Sequence, residues 1–339
     1  MQADNVEQTR YGLVRDMLAV PDIIRKFDSR RMEETAREIK SVGRLLLTGE
    51  GSSRIFPAKS MIARAMEHGG QVKLHTEAGL QAQQYALAHW AVFALSNSGR
   101  TAEVIGLFEQ LAAQGHRCRY SLTAFADSKL ESLASRGYVL ECGEEGAVAA
   151  TKSVIEQALF YHALLEHMEG RPTLHERLPA VADAVAAALT TPLDPTIIDR
   201  IAKARTICWA GRNDGVAEEL TLKTNEITRK PADFLEGTYA VHGIEEVLDA
   251  DDVVIWIDPF PGSEQKFHDV LVKGIGLEVI AIAHRPTQFP TILLPDVGTL
   301  NSFVQMAGGW NVLVDVGLAL GIDVDKPVRA RKVGNEFTG

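Results

Sequence analysis

The chain is poor in cysteine. Cys118, Cys142 and Cys208 are its three cysteines, odd in number and far apart. A disulfide framework needs pairs, so reduced thiols and a cytoplasmic location are expected. No Cys/His grouping has zinc spacing, and no metal is expected. No run of eighteen apolar residues occurs, so no membrane span is expected. The N-terminal stretch MQADNVEQTRYGLVRDML is polar and lacks a signal-type apolar core. Positive charge is also short: 35 Lys and Arg stand against 45 Asp and Glu, a net charge of −10. A nucleic-acid partner wants a basic face, so none is expected; small local basic sites for an anionic ligand remain possible. Nucleotide signatures are missing as well. GEGSSR carries Arg54 where a dinucleotide fingerprint needs its third glycine, and no Gly-Lys-Ser/Thr follows.

What is present is ordinary globular composition, 46% hydrophobic and 24% charged, in a length that suits two domains of about 150 residues. The stretch from Tyr11 to Val42 has helical spacing, with Pro21 expected to break it. Leu45 to Thr48 is apolar without alternation, the mark of a strand covered on both faces. A Gly/Ser loop and a helix over Ile55–His68 follow. The pattern repeats: QVKLHT as strand and AGLQAQQYALA as helix, then WAVFALS as strand and Thr101–Ala113 as helix. CRYSLTAF and GYVLEC read as strands around a short helix, and a long helix spans Ala149–Met168. A proline-rich, Ala-rich stretch separates the halves. The second half restarts with RTICWAGRNDGVAEELTLKTNEI, adds strands DVVIWIDP, LEVIAIA and TILLPD, and closes on a helix over Asn301–Leu320. Alternating strands and helices imply parallel sheets with helices on both faces. Two units of like layout suggest an internal duplication, although the halves share few residues.

Two strand-to-helix loops stand out, TGEGSSR (Thr48–Arg54) and SNSGRT (Ser96–Thr101). Helix N-termini offer free N–H groups and a positive dipole end. Gly51 and Gly99 let the backbone approach closely, and Ser52, Ser53, Ser96, Ser98 and Thr101 add hydroxyls. Together these make a cup for a tetrahedral anion. Ser and Thr are also favoured N-caps, which would explain either loop alone; two in neighbouring units favour the anion.

With these loops the sequence resembles the sugar isomerase (SIS) domains, above all the isomerase half of glucosamine-6-phosphate synthase, two such domains in tandem covering almost this whole chain. GEGSSRIF and LSNSGRTAEVI correspond to the family's loops, the second to its Ser-x-Ser-Gly-x-Thr pattern. The resemblance implies that Ser53, Ser96, Asn97, Ser98 and Thr101 hold a sugar's phosphate, joined by Gly51 and Ser52. A third match is EEGAVAATKSVIEQALF, where Glu145, Val148, Ala149, Thr151 and Lys152 fit and Ala150 replaces the usual Ser. In the relatives the Val-Ala backbone lines the sugar pocket, so Val148 and Ala149 are expected there.

Aldose–ketose interconversion needs a base to move a proton between C1 and C2, an acid/base to open the ring, and a cation or donor for the negative oxygen. Lys223 and Glu226, at i and i+3 on one predicted helix, share a face; such a pair is commonly a surface ion pair. His242 lies in a loop beside Gly243, sixteen residues after Glu226. The resemblance implies that Glu226 is the C1/C2 base, Lys223 its proton-handling partner and His242 the ring opener. It also implies that His242 serves the neighbouring subunit's site in a homodimer. In the tail, Asp323, Asp325 and Pro327 match the family's pattern. They place Lys332 where the synthase lysine bonds the ketose carbonyl as an imine.

The expected fold is therefore α/β, two tandem SIS domains, each a flavodoxin-like three-layer unit around a parallel sheet. Residues 1–40 form a helical segment, 41–170 the first domain, 171–198 a linker helix, 199–325 the second domain, and 326–339 a tail contributing to the site. No glutaminase region is recognisable, so ammonia transfer from glutamine is not expected without a partner. The expected function is cofactor-independent isomerisation or deamination at C1/C2 of a 6-phosphorylated hexose or amino sugar. Three other readings stay open: a fructosamine-6-phosphate deglycase, an isomerase of a sulfonated hexose, and a non-catalytic sugar-phosphate sensor. Arg100 stands where the synthase loop has Glu and adds a guanidinium beside the cup, the motif of the sulfonate reading. The stretch GTYAVHGIEE departs from the family's Gly-Glu-x-x-His-Gly-Pro, with Ile244 in place of Pro.

Overall fold

The computed structural model describes residues 1 and 6–338. From the N-terminus, α1 (Val6–Thr9), α2 (Gly12–Lys26) and α3 (Glu33–Val42) precede β1 (Arg44–Gly49). Next come α4 (Ile55–His68), β2 (Lys73–Ala78), α5 (Gly79–Ala82), β3 (Ala91–Ser96), α6 (Ala102–Ala113) and β4 (Arg119–Thr123). They are followed by α7 (Lys129–Leu133), β5 (Arg136–Val139), α8 (Lys152–Glu169), α9 (Leu174–Thr190) and α10 (Pro195–Lys203). The remainder comprises β6 (Ile207–Gly211), α11 (Val216–Thr228), β7 (Ala232–Glu236), β8 (Val253–Ile257), α12 (Glu264–Phe267), β9 (Glu278–Ala283), β10 (Thr291–Leu293) and α13 (Asn301–Ala319). A wide, π-type helical stretch over His268–Ile275 extends α12.

Two compact units result, each stitched from separate stretches of chain. One holds the first sheet, from Asp22–Glu145, Ala150–Pro179 and Ala330–Gly339. The other holds the second sheet, from Met1–Pro21, Gly146–Ala149 and Ala180–Arg329.

The first sheet has order β2-β1-β3-β4-β5, all parallel. Both faces of β3 are fully buried, the condition under which a strand reads as an unbroken apolar run. On one face Leu46, Val92 and Ala94 pack with Val104, Leu107 and Phe108 of α6. On the other, Phe93 meets Phe160 and Tyr161 of α8, ring centroids 5.5 and 5.3 Å apart. The second sheet has order β10-β9-β8-β6-β7, also parallel. One face packs Cys208, Ala210 and Trp256 with Phe267 and Leu271; on the other, Trp209 Nε1 donates to Thr224 Oγ1 of α11 at 2.7 Å. Numbered within its own half, each sheet reads 2-1-3-4-5. This is the flavodoxin order, whose crevice lies at the carboxyl ends of the first and third strands.

The structure departs from two expectations. Pro21 does not break α2, which runs through it to Lys26. Leu13, Val14, Met17, Val20 and Ile24 are all fully buried, and burying that stripe outweighs the single N–H that proline lacks. The helix expected over AGLQAQQYALA is one turn, Gly79–Ala82. Leu80 is exposed while Leu87 drops into the core, so the segment has no continuous helical stripe to bury. ADFLE, which the sequence pattern leaves unassigned, is β7. It is an edge strand with alternating, partly exposed residues, so its own composition signals it weakly.

Candidate active site

In the first-sheet unit, β1 and β3 are neighbours and both suspect loops leave from their carboxyl ends. Gly49 is required at the first exit: a Cβ there would lie 2.7 Å from the Ser53 carbonyl oxygen and 2.8 Å from that of Leu95. Gly51, Ser52 and Ser53 form one 3-10 turn before α4, and Ser53 Oγ accepts from Gln157 Nε2 at 3.4 Å. In the second loop, Gly99 has φ +63°, and a Cβ would strike Ser128 at 2.3 Å. Ser96 Oγ accepts from Gly99 N and lies 3.1 Å from Thr101 Oγ1; Ser98 Oγ accepts from Arg100 N. Each hydroxyl that accepts a backbone N–H retains its own O–H to donate.

Helix capping uses other side chains. Ser128 and Asp194 cap α7 and α10 with their side chains. Arg54, Thr101 and Thr151, the N-caps of α4, α6 and α8, make no side-chain cap bond. Thr151 Oγ1 and Ser153 Oγ are buried without a hydrogen-bond partner. The hydroxyls of these loops are therefore not spent on ending the helices.

A cavity of about 390 Å³ opens beside the second loop, lined among others by Asn97, Ser98, Arg100, Glu145 and Lys332. Glu145 is its hub. Its side chain is 1% exposed and accepts from Thr151 N, Ser153 N, Asn97 Nδ2 and Lys332 Nζ, the last at 2.7 Å. Burial pushes its carboxyl up, but Lys332 and the two backbone donors win and hold it below the usual range. The carboxylate sits on the N-terminus of α8, where the helix dipole favours it.

The tail closes over the same edge. Ala102 N donates to Asn335 O, Phe337 N donates to Arg100 O, and Thr101 bridges Glu336 in antiparallel fashion. Arg100, exposed at the cavity rim, pairs with Glu336 at 2.8 Å.

In the second-sheet unit, Lys223 and Glu226 lie on α11, the helix after that sheet's first-numbered strand, β6. They are no surface pair. Lys223 is 0% exposed, with Nζ 2.6 Å from Glu226 Oε2 and 3.3 Å from Glu219 Oε1. Burial lowers its pKa, yet the two carboxylates win and hold it above the ordinary lysine value. Glu226, 22% exposed, is the member that reaches solvent. Glu219 went unassigned in the sequence, although Glu219, Lys223 and Glu226 fall at i, i+4 and i+7, one helical stripe. His242 is exposed at the end of a 3-10 turn over Tyr239–Val241. Val148 and Ala149 belong to this unit, where Val148 N donates to Asp325 O.

The second sheet's own crevice is chemically different. The loops after β6 and β8 read RNDG and DPFPGS; Ser263, directly before α12, is their one hydroxyl, against five in the two loops of the first sheet. Arg212 is tied to Asp258 at 2.9 Å, and burial pushes Asp214 up to about 6. Of the two crevices, the one at the first sheet suits an anion.

The family model described as SIS domain matches residues 38–167, the stretch that includes the strands of the first sheet. Solved structures resemble nearly the whole chain. The C-terminal domain of glucosamine-fructose-6-phosphate aminotransferase from Francisella tularensis has a TM-score of 0.78 at 17% identity, covering 96% of this chain and 100% of that one. Tagatose-6-phosphate ketose/aldose isomerase from Escherichia coli gives 0.76 at 18%, covering 94% and 96%. Glucosamine-6-phosphate deaminase from Thermotoga maritima gives 0.75 at 17%, covering 95% and 99%. At such identities the likeness establishes the α/β fold with its two five-stranded parallel sheets. No curated protein sequence matches the chain.

Proposed function

We propose that the protein is a sugar-phosphate isomerase or deaminase that moves a proton between C1 and C2 of a 6-phosphorylated hexose or amino sugar. The likeness to phosphosugar isomerases and to a deaminase supports this class. The observation that carries an enzyme over a sensor is Lys223, fully buried between two carboxylates of one helix. Holding a charge out of water is costly, and ligand sensing alone gives no reason for it.

In this reading Gly51, Ser52, Ser53, Ser96, Ser98 and Thr101 hold the phosphate through hydroxyl and backbone donors, with Arg100 at the rim and Val148 and Ala149 along the sugar. His242 moves the anomeric hydroxyl proton to the ring oxygen, opening the ring. Glu226 takes the proton from C2 of the open aldose and returns it to C1 of the enediolate, giving the ketose. Lys223, kept charged, stabilises Glu226 as carboxylate and is its proton-handling partner. Lys332, whose ammonium Glu145 holds, offers a cation to the developing oxyanion. The exposure of His242, together with that of Tyr239 and Val247 beside it, supports a homodimer in which His242 serves the neighbouring copy.

Glu226→Gln keeps size and hydrogen bonding but removes the base. Turnover of fructose 6-phosphate or glucosamine 6-phosphate is expected to fall by about three decades with Kd nearly unchanged. Unaltered turnover in that variant would reject the assignment.

A further inference from the structure

At the opposite end of the first sheet, where β1 and β2 begin, lies a second cavity of about 360 Å³. Three helices stop at its edge: α3 at Val42, α4 at His68 and α8 at Glu169, each followed by a glycine in the left-handed region. Each brings the negative end of its dipole. A carboxylate joins them. Glu169, 13% exposed, has Oε2 3.2 Å from His68 Nδ1, while Oε1 is buried beside Gly70 with no hydrogen-bond partner. A buried carboxylate oxygen without a donor is costly. Leu165 and Met168 supply an apolar wall, and the exposed Lys40 and Arg171 stand at the cavity edge.

We infer that this cavity binds a small zwitterion of the α-amino acid type. Its ammonium meets Glu169 and the three helix ends, its hydrocarbon chain lies on Leu165 and Met168, and its carboxylate pairs with Lys40 and Arg171. The volume fits a molecule of this size, and the charge order fits one orientation: negative inside, positive outside. Nothing in the proposed sugar chemistry uses these groups, so the site would be a separate, regulatory one.

The test is a titration of the full chain labelled with methyl-¹³C methionine, following the Met168 methyl, assigned with Met168→Leu. Three probes separate the ends of the ligand: norleucine, butylamine and butyrate. Norleucine should shift the Met168 signal in a saturable 1:1 manner, butylamine more weakly, and butyrate not at all. Glu169→Gln should weaken norleucine by about tenfold or more. Replacing both exposed cations, Lys40→Met with Arg171→Met, leaves the fold unburdened and should reduce norleucine to the level of butylamine. No Met168 shift at about 20 mM norleucine, a ligand range of only a few kcal/mol, overturns the inference. So does butyrate binding as well as butylamine, or norleucine affinity unchanged in Glu169→Gln.

Discussion

Glu145 shows why a motif residue can matter more than its neighbours. It unites Asn97, the start of α8 and Lys332 through four hydrogen bonds. The two members of its pair with the tail are unequal: the Glu145 carboxylate is 1% exposed and the Lys332 ammonium 35%. Glu145→Ala leaves two buried backbone donors and Asn97 unpaired, and should destabilise the fold by about 3 kcal/mol. Lys332→Ala leaves the buried carboxylate without its cation but with its three other donors, and should cost less, about 1–2 kcal/mol. Urea unfolding of the two variants checks the difference. At this scale the two serine loops were legible because hydroxyls and glycines crowd into six or seven consecutive residues. The burial of Lys223 was not: its shielding comes from tertiary packing around α11, and a Lys-x-x-Glu pair reads the same on a wet helix as on a dry one.

At the scale of elements, the tail is the informative case. Residues 335–337 pair with 100–102, and Phe337 rests on the core of the first sheet. Lys332 anchors the same segment to Glu145. Because that carboxyl is held below its ordinary 4.5, the stability it contributes is present above pH 4.5. It is lost as the pH falls through the depressed value. The tail should therefore become accessible to pepsin in that acid range before the sheet unfolds, and Glu145→Ala should show the accessible tail already at neutral pH. Limited proteolysis against pH checks both. Most strands were legible from apolar runs, since parallel strands are buried on both faces. β7 was not, because this edge strand keeps Asp233 and Glu236 in water. The passage of α2 through Pro21 was likewise hidden: the local cost of proline is visible in sequence, the buried stripe that offsets it is not.

At the scale of the molecule, the two sheets share one strand order while their crevices differ. One carries hydroxyls and glycines for an anion; the other carries Arg212, Asp214 and Asp258. In the second half the proposed chemistry has moved from the crevice to the helix α11. If His242 acts across a dimer, the chain should elute at twice its 37.0 kDa. Mixing Glu226→Gln with His242→Ala after reversible dissociation should restore about a quarter of wild-type activity, because one site in four then has both groups intact. Recovery of no activity, or a monomeric mass, would oppose the shared site.

By itself the sequence determined the alternation of strand and helix, the doubling of that pattern and the two anion-suited loops. The elements and loops are written in windows shorter than twenty residues, in periodicity and local composition, and the doubling in the order in which those windows recur. Only the tertiary structure decided that Lys223 is dry, that Glu145 gathers the loop, the helix and the tail, and that the chain's first residues build the second-sheet unit while its last build the first. Those outcomes depend on burial and pairing between residues up to hundreds of positions apart, which no local pattern encodes.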